Sequence, residues 1–282
     1  VVAQMIEEGG KFFSDELAPT NWDADQAGCS LENGVVRTYE KFPELYAQYR
    51  ETGWIGAAYD PEIGGLGLPW AVNAAGQEML FAANMSVSLC PLLSQGAIEA
   101  IEAHGSPDQR AKYLERLVTG EWSGTMNLTE PHAGSDVGAL KSRAEPQPDG
   151  TYRIFGQKIY ITFGEHDMAD NIIHLVLART PGAPAGTKGI SLFIVPKFLV
   201  NDDGSLGARN DAKCIKLEEK LGIHASPTCV MQYGDDDGAV GYMIGPENGG
   251  MACMFTMMNN ARLSVGIQGL GIAERAYQHA LA

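Results

Sequence analysis

Residues 128–138 read Leu128-Thr129-Glu130-Pro131-His132-Ala133-Gly134-Ser135-Asp136-Val137-Gly138. Two hydroxyls, two carboxylates and two glycines crowd into this short stretch. Backbone N–H groups and hydroxyls in such a loop suit an acceptor-rich ligand, and Gly134 and Gly138 would let the backbone come close to it. An ordinary turn capped by Asp and Ser accounts for the same composition about equally well. His132 has the chemistry of a base or a ligand, but a lone histidine is more often a satisfied hydrogen-bonding residue.

Outward from this loop the chain changes texture on both sides. Upstream, to about Glu121, it reads helical. Lys41 to Glu51 and Trp70 to Ala83 carry apolar residues at three- and four-residue spacing. Ser106-Pro107 opens a further helix, with Ser as N-cap and Pro at the first helical position, and Gly120 marks its stop. Downstream, short β-rich runs predominate: 152–155 and 158–162 around Gly156, then 172–178, 190–195, 228–233 and 239–243. Asn201 to Asp211 and Gly234 to Gly238 read as acidic, solvated loops. From Gly249-Gly250 the pattern is helical again to the last residue, with Met251, Phe255 and Met258 forming an expected core stripe that Met254 and Met257 thicken. Gly266, Gly269 and Gly271 are unusual inside a helix, and close helix–helix packing is the expected reason.

The composition narrows the function. The chain has 282 residues, 45% of them hydrophobic, with 20 Lys plus Arg against 35 Asp plus Glu, a formal charge of −15. Nucleic acid and anionic membrane surfaces favour a basic surplus, so neither is an expected partner. No apolar run approaches the roughly 18–20 residues of a spanning helix. The acidic, amphipathic N-terminus lacks the pattern of a signal peptide. Cys29, Cys90, Cys214, Cys229 and Cys253 are odd in number and widely spaced, which favours reduced thiols and a cytoplasmic setting. The six histidines show no metal-ligand spacing, so no metal is expected. Gly65-Leu66-Gly67 and Gly269-Leu270-Gly271 lack the strand–turn–helix setting of a dinucleotide fingerprint. Ser135 lacks the first glycine of a nucleophile elbow.

The stretch Leu128 to Asp136 resembles the first signature of the acyl-CoA dehydrogenase family of flavoproteins. That pattern runs small, aliphatic, Ser or Thr, Glu, two free positions, small, Gly, Ser or Thr, Asp. The one departure is at its head, where Asn127 replaces a small residue. Three further segments resemble the family in the same order: Gly156 to Thr162, Glu219 to Ser226, and Asn259-Asn260-Ala261-Arg262, where the family has Asp-x-x-Arg. The resemblance covers essentially the whole chain. It is strongest to the larger bacterial members, which include enzymes acting on 3-methylthiopropanoyl-CoA.

The resemblance implies an α+β multi-domain fold. It predicts an N-terminal all-α helical domain at 1–122 and a middle β-barrel or sandwich domain at 123–245. The first helix of a C-terminal four-helix bundle follows at 246–282, the rest of that bundle falling outside the sequence. It implies FAD, an acyl-CoA substrate, electron-transfer flavoprotein as acceptor and a homodimer or homotetramer. A glutamate would take the α-proton while the β-carbon gives a hydride to the flavin, a step of fatty-acid β-oxidation. By resemblance, Met126, Leu128, Thr129, Gly134 and Ser135 line the FAD, with Thr129 at the pyrimidine edge. Tyr160, Ile161 and Thr162 flank the ring. Ser135, Asn259 and Arg262 serve the substrate, Arg262 as a fixed cation for CoA. Asn259 departs from the family's Asp.

No catalytic residue is assigned within this chain. The family's glutamate lies late in the bundle or, in a minority, immediately before the arginine, where this sequence has Ala261. The isolated fragment 1–282 is therefore expected to bind FAD poorly and to be inactive. Two other readings share the fold: an acyl-CoA oxidase-like enzyme, and a flavin-binding member that has lost dehydrogenation.

Overall fold

The protein, as a computed structural model, is described over residues 2–282. Its first part is helical. α1 (Val2–Phe12) passes through irregular turns into α2 (Asn21–Ala27), and a small hairpin of β1 (Ser30–Glu32) and β2 (Val35–Arg37) leads to α3 (Phe42–Glu51). Then come α4 (Trp70–Ala83), α5 (Met85–His104) and α6 (Pro107–Val118). α6 begins as its sequence predicts. Ser106 Oγ accepts from the Gln109 N–H, and the Gln109 side chain accepts from the Ser106 N–H, so two otherwise orphaned groups satisfy each other. α5 has little amphipathic pattern because it is buried nearly all round, against α6, α7 and the first strand of the sheet.

The second part is a sheet. Its strands are β3 (Trp122–Asn127), β4 (Arg143–Pro146), β5 (Tyr152–Thr162), β6 (Asn171–Ala178) and β7 (Ser191–Pro196). After the surface hairpin of β8 (Phe198–Val200) and β9 (Leu206–Arg209) come β10 (Ala212–Glu218), β11 (Thr228–Tyr233) and β12 (Ala239–Ile244). The order is β10-β11-β5-β12-β7-β6-β3, with β4 also paired to β5. β3 and β6 run parallel; the other pairs are antiparallel. β6 and β7 are buried at every position, which is why they read as unbroken apolar runs.

α7 (Gly250–Leu281) closes the described chain, packed on α4 and α5. The N-terminal helical part, the β part and this last helix make up the α+β fold expected from the motifs.

Four expectations are corrected. The runs 152–155 and 158–162 are one strand: Gly156 carries the chain through at φ +138°, where any Cβ would overlap the Ser142 side chain. The acidic segment 201–211 is not all loop, since β9 forms within it. The stripe of α7 is centred on Cys253, Met254 and Met257, with Met251 and Met258 half-buried at its margins; of the expected stripe only Phe255 is exposed. Met257 sets that rotation by sitting over Gly96 of α5, where a Cβ would lie 2.7 Å from its Cγ. Of the three helix glycines, only Gly271 is closely packed, since a Cβ there would lie 2.9 Å from the Glu78 carbonyl of α4; Gly266 and Gly269 face open space. No helix among the described residues is long and apolar enough to cross a membrane.

Candidate functional site

β3 ends at Asn127 and delivers the chain into the loop 128–136. That loop is bolted to β5. The Ile159 N–H donates to the Thr129 carbonyl at 2.9 Å. Lys158, with no exposed surface, donates to the Leu128 carbonyl at 3.0 Å and to Glu130 Oε1 at 2.8 Å. Glu130 is buried and also accepts from the N–H groups of Lys141 and Ser142, at 2.7 and 3.0 Å. Burial alone would raise the Glu130 pKa, but Lys158 and these donors outweigh it and hold the carboxyl below its usual value. Burial pushes Lys158 down to about 8, against the opposing pull of Glu130. The pair thus stays charged near neutral pH. His132, exposed, lies 3.5 Å from Glu130 at the rim of this cluster.

The bolt falls at a β-bulge. β11 pairs Cys229 with Ile161 and Met231 with Lys158, so Ile159 and Tyr160 together oppose one residue, Val230. Tyr160 takes φ +57°, a left-handed conformation uncommon for a bulky residue. Tyr160 is 55% exposed, near the end of the strand.

The eight positions that the motifs assign to a cofactor therefore form two adjoining segments. Thr129, Ser135 and Thr162 have hydroxyls with no hydrogen-bond partner among the described residues. Gly134 is exposed, and a Cβ there would meet only Thr129 Cγ2, at 3.6 Å. Its absence is not required by packing within the chain, whereas Gly138 is pressed against Gly186 and Asp136. Met126 lies with Leu89, Leu92, Leu93, Ala261 and Ile267 in one apolar cluster, linking the loop to α5 and α7. Leu128 is half-buried against the central core. Ile161 is different: its side chain is buried among Val176, Cys229 and Met231, so it can meet a ligand only through its backbone. An exposed aromatic ring on a strand end joined to a loop with accessible hydroxyls and an open glycine backbone fits a flat group rich in acceptors, as a flavin is.

On α7, the Arg262 guanidinium donates to Asn259 Oδ1 at 3.1 Å and lies 5.4 Å from the Phe255 ring centroid. Of the three residues assigned to substrate, Asn259 and Arg262 are thus in contact, one turn apart and exposed. Ala261, beside them, packs near Met126 and brings no carboxylate there. The sequence reading missed Glu99. It sits on α5, hydrogen-bonded to Asn260 of α7. Burial raises its pKa to about 7 against the Asn260 hydrogen bond, with Glu102 adding to the rise. Only the contact between α5 and α7 reveals it.

The profile of the acyl-CoA dehydrogenase N-terminal domain matches residues 3–121, and that of the middle domain matches residues 125–235. The chain belongs to the acyl-CoA dehydrogenase family. It is 53% identical over 277 residues to the 3-methylmercaptopropionyl-CoA dehydrogenase of Ruegeria pomeroyi, covering 98% of this chain and 47% of that protein. The butyryl-CoA dehydrogenase structure from Megasphaera elsdenii superposes with a TM-score of 0.81 at 27% identity, over 99% of this chain and 67% of that one. An acyl-CoA dehydrogenase complexed with FAD from Bacillus anthracis gives 0.79 at 26% identity, over 98% and 42%. The chain spans about half the length of the curated relatives it matches first. All eight positions assigned to the cofactor lie inside the middle-domain match; Asn259 and Arg262 lie beyond it, on α7.

Proposed function

We propose that this chain is the flavin-binding part of an FAD-dependent acyl-CoA dehydrogenase acting on short acyl-CoA thioesters, methylthio-substituted ones among them. Residues 1–122, 123–245 and 246–282 are its helical, β and second helical parts. The observation that carries the reading is the junction at which the Ile159 N–H donates to the Thr129 carbonyl. It brings two separate family motifs, the loop and the Tyr160–Thr162 strand end, into one surface of the composition a flavin needs. The 53% identity to a 3-methylmercaptopropionyl-CoA dehydrogenase supports the substrate class.

Bound FAD supplies the two-electron acceptor that no side chain of the chain can provide. The residues supply orientation and electrostatics. The Tyr160 ring offers a stacking face. Thr129 and Thr162 offer hydroxyl donors that favour negative charge on the reduced ring. Ser135 stands where cofactor and substrate meet. Arg262, oriented by Asn259 and Phe255, offers CoA a permanent cation. The cluster of Met126, Leu89, Leu92, Leu93 and Ile267 provides an apolar wall that keeps water away from a thioester. The acceptor is an electron-transfer flavoprotein and the assembly a homo-oligomer, as the family pattern implies.

Steady-state turnover of the full-length gene product with an artificial dye acceptor tests the substrate class. Butanoyl-CoA and 3-methylthiopropanoyl-CoA are expected to exceed hexadecanoyl-CoA in kcat/KM. A preference for the long chain contradicts the short-substrate reading.

A further inference from the structure

Ser123, Thr125 and Asn127 alternate along β3, so they share one face of the strand, and all three are buried. All three reach the stretch that ends β5 or follows it. Ser123 Oγ lies 2.8 Å from His166 Nε2, and Thr125 Oγ1 donates to the Thr162 carbonyl at 2.7 Å. Asn127 arrives there in steps. Its amide lies 2.8 Å from the Tyr233 hydroxyl, that hydroxyl lies 3.2 Å from His174 Nδ1, and His174 Nε2 lies 2.9 Å from the Gly164 carbonyl. Tyr233 and His174 are each 1% exposed.

The proton order of this chain follows from what each group can do. A carbonyl only accepts, so His174 Nε2 carries the proton and Nδ1 accepts. The single Tyr233 proton then goes to Nδ1, and the phenol oxygen accepts from Asn127. With Oδ1 toward Tyr233, Asn127 Nδ2 is a buried donor without a partner. Turning the amide over places Nδ2 against the phenol, so that every donor from Asn127 to the Gly164 carbonyl faces an acceptor. Burial and the nearby Lys197 and Arg209 charges hold His174 neutral, with its pKa near 3, as this order requires. Asn127 is also where the sequence departs from the small residue of its family pattern, and a small side chain would not reach Tyr233.

We propose that Asn127 is a positioning residue for the flavin: through Tyr233 and His174 it ties the loop that bears Thr129 to the turn that follows Thr162. The two segments then present their hydroxyls at a fixed separation. This inference rests on the FAD reading above.

The test uses the full-length flavoprotein and two substitutions. Asn127→Leu keeps the branched outline and the number of side-chain heavy atoms and leaves the Tyr233 bond to His174 intact. Tyr233→Phe cuts the chain at its centre. Apoprotein is reconstituted with FAD, and three quantities are read: FAD affinity, the visible spectrum and potential of the bound flavin, and the melting temperature. Both variants are expected to bind FAD on the order of tenfold more weakly and to shift the flavin spectrum and potential. Asn127→Leu should melt close to wild type, and it carries the test alone if Tyr233→Phe does not fold. Unchanged FAD affinity and spectrum in Asn127→Leu would overturn the proposal, whatever happens to melting. A wild-type protein that binds no FAD would overturn the cofactor reading and this proposal together.

Discussion

Lys158 has no exposed surface and one carboxylate partner, Glu130. Removing either partner leaves a buried charge uncompensated, which costs about 3–5 kcal/mol. Lys158→Met is therefore expected to lower thermal stability sharply, while Lys158→Met with Glu130→Gln recovers much of the loss; a double variant no better than the single one contradicts the pairing. Arg262 is different in kind, because it is exposed and makes only a side-chain bond to Asn259 and a ring contact. Arg262→Met should raise KM for acyl-CoA by about tenfold or more with little change in kcat, the mark of an interaction equal in ground and transition states. A fall in kcat at unchanged KM would refute that role.

Glu99 ties stability to pH. In the folded chain its proton stays bound up to about pH 7, against 4.5 for the exposed group. Between those values the folded state binds the Glu99 proton more than the unfolded state does, so the Glu99 contribution to stability is fully present below 4.5 and is lost as pH rises through about 7. Chemical denaturation of wild type and Glu99→Gln across that window checks the sign, and a wild-type limb no steeper than that of the variant refutes it. The motif residues were readable because chemistry restricts them to few types. Glu99 and Asn127 were not, since their partners Asn260 and Tyr233 are 161 and 106 residues away in sequence.

At the scale of the element, legibility followed burial pattern. α4 lies at Trp70–Ala83 and β11 at Thr228–Tyr233, both as read from periodicity. β3 escaped notice. Both of its faces are buried: Ser123, Thr125 and Asn127 find buried polar partners on one, while on the other Gly124 interrupts the apolar Trp122 and Met126, so the strand shows no apolar run. The stripe of α7 was misplaced because several of its faces carry apolar residues and only contact with α5 selects among them. Two further tests sit at this scale. Gly156→Ala puts a Cβ into Ser142 at φ +138° and should cost at least about 1–3 kcal/mol. Ser106→Ala removes one arm of the capping box and should cost about 1 kcal/mol. Equal melting temperatures for Gly156→Ala and wild type would show that the strand bends differently there.

Across the molecule, the proposed site draws on three parts: the loop after β3, the bulged end of β5 and the exposed face of α7. The order of the motifs along the chain is enough to make the family legible. It does not show how those parts meet, because the ties are a backbone hydrogen bond, a buried ion pair, the buried polar contacts of β3 and the apolar cluster around Met126. None of these has a sequence signature. The central claim is that this surface holds a flavin which an acyl-CoA thioester reduces. Anaerobic titration of the full-length protein, purified with its flavin, tests it most directly. Stepwise bleaching of the oxidised flavin band by butanoyl-CoA or 3-methylthiopropanoyl-CoA is the predicted result. A bound flavin that neither these nor longer acyl-CoAs reduce would contradict it.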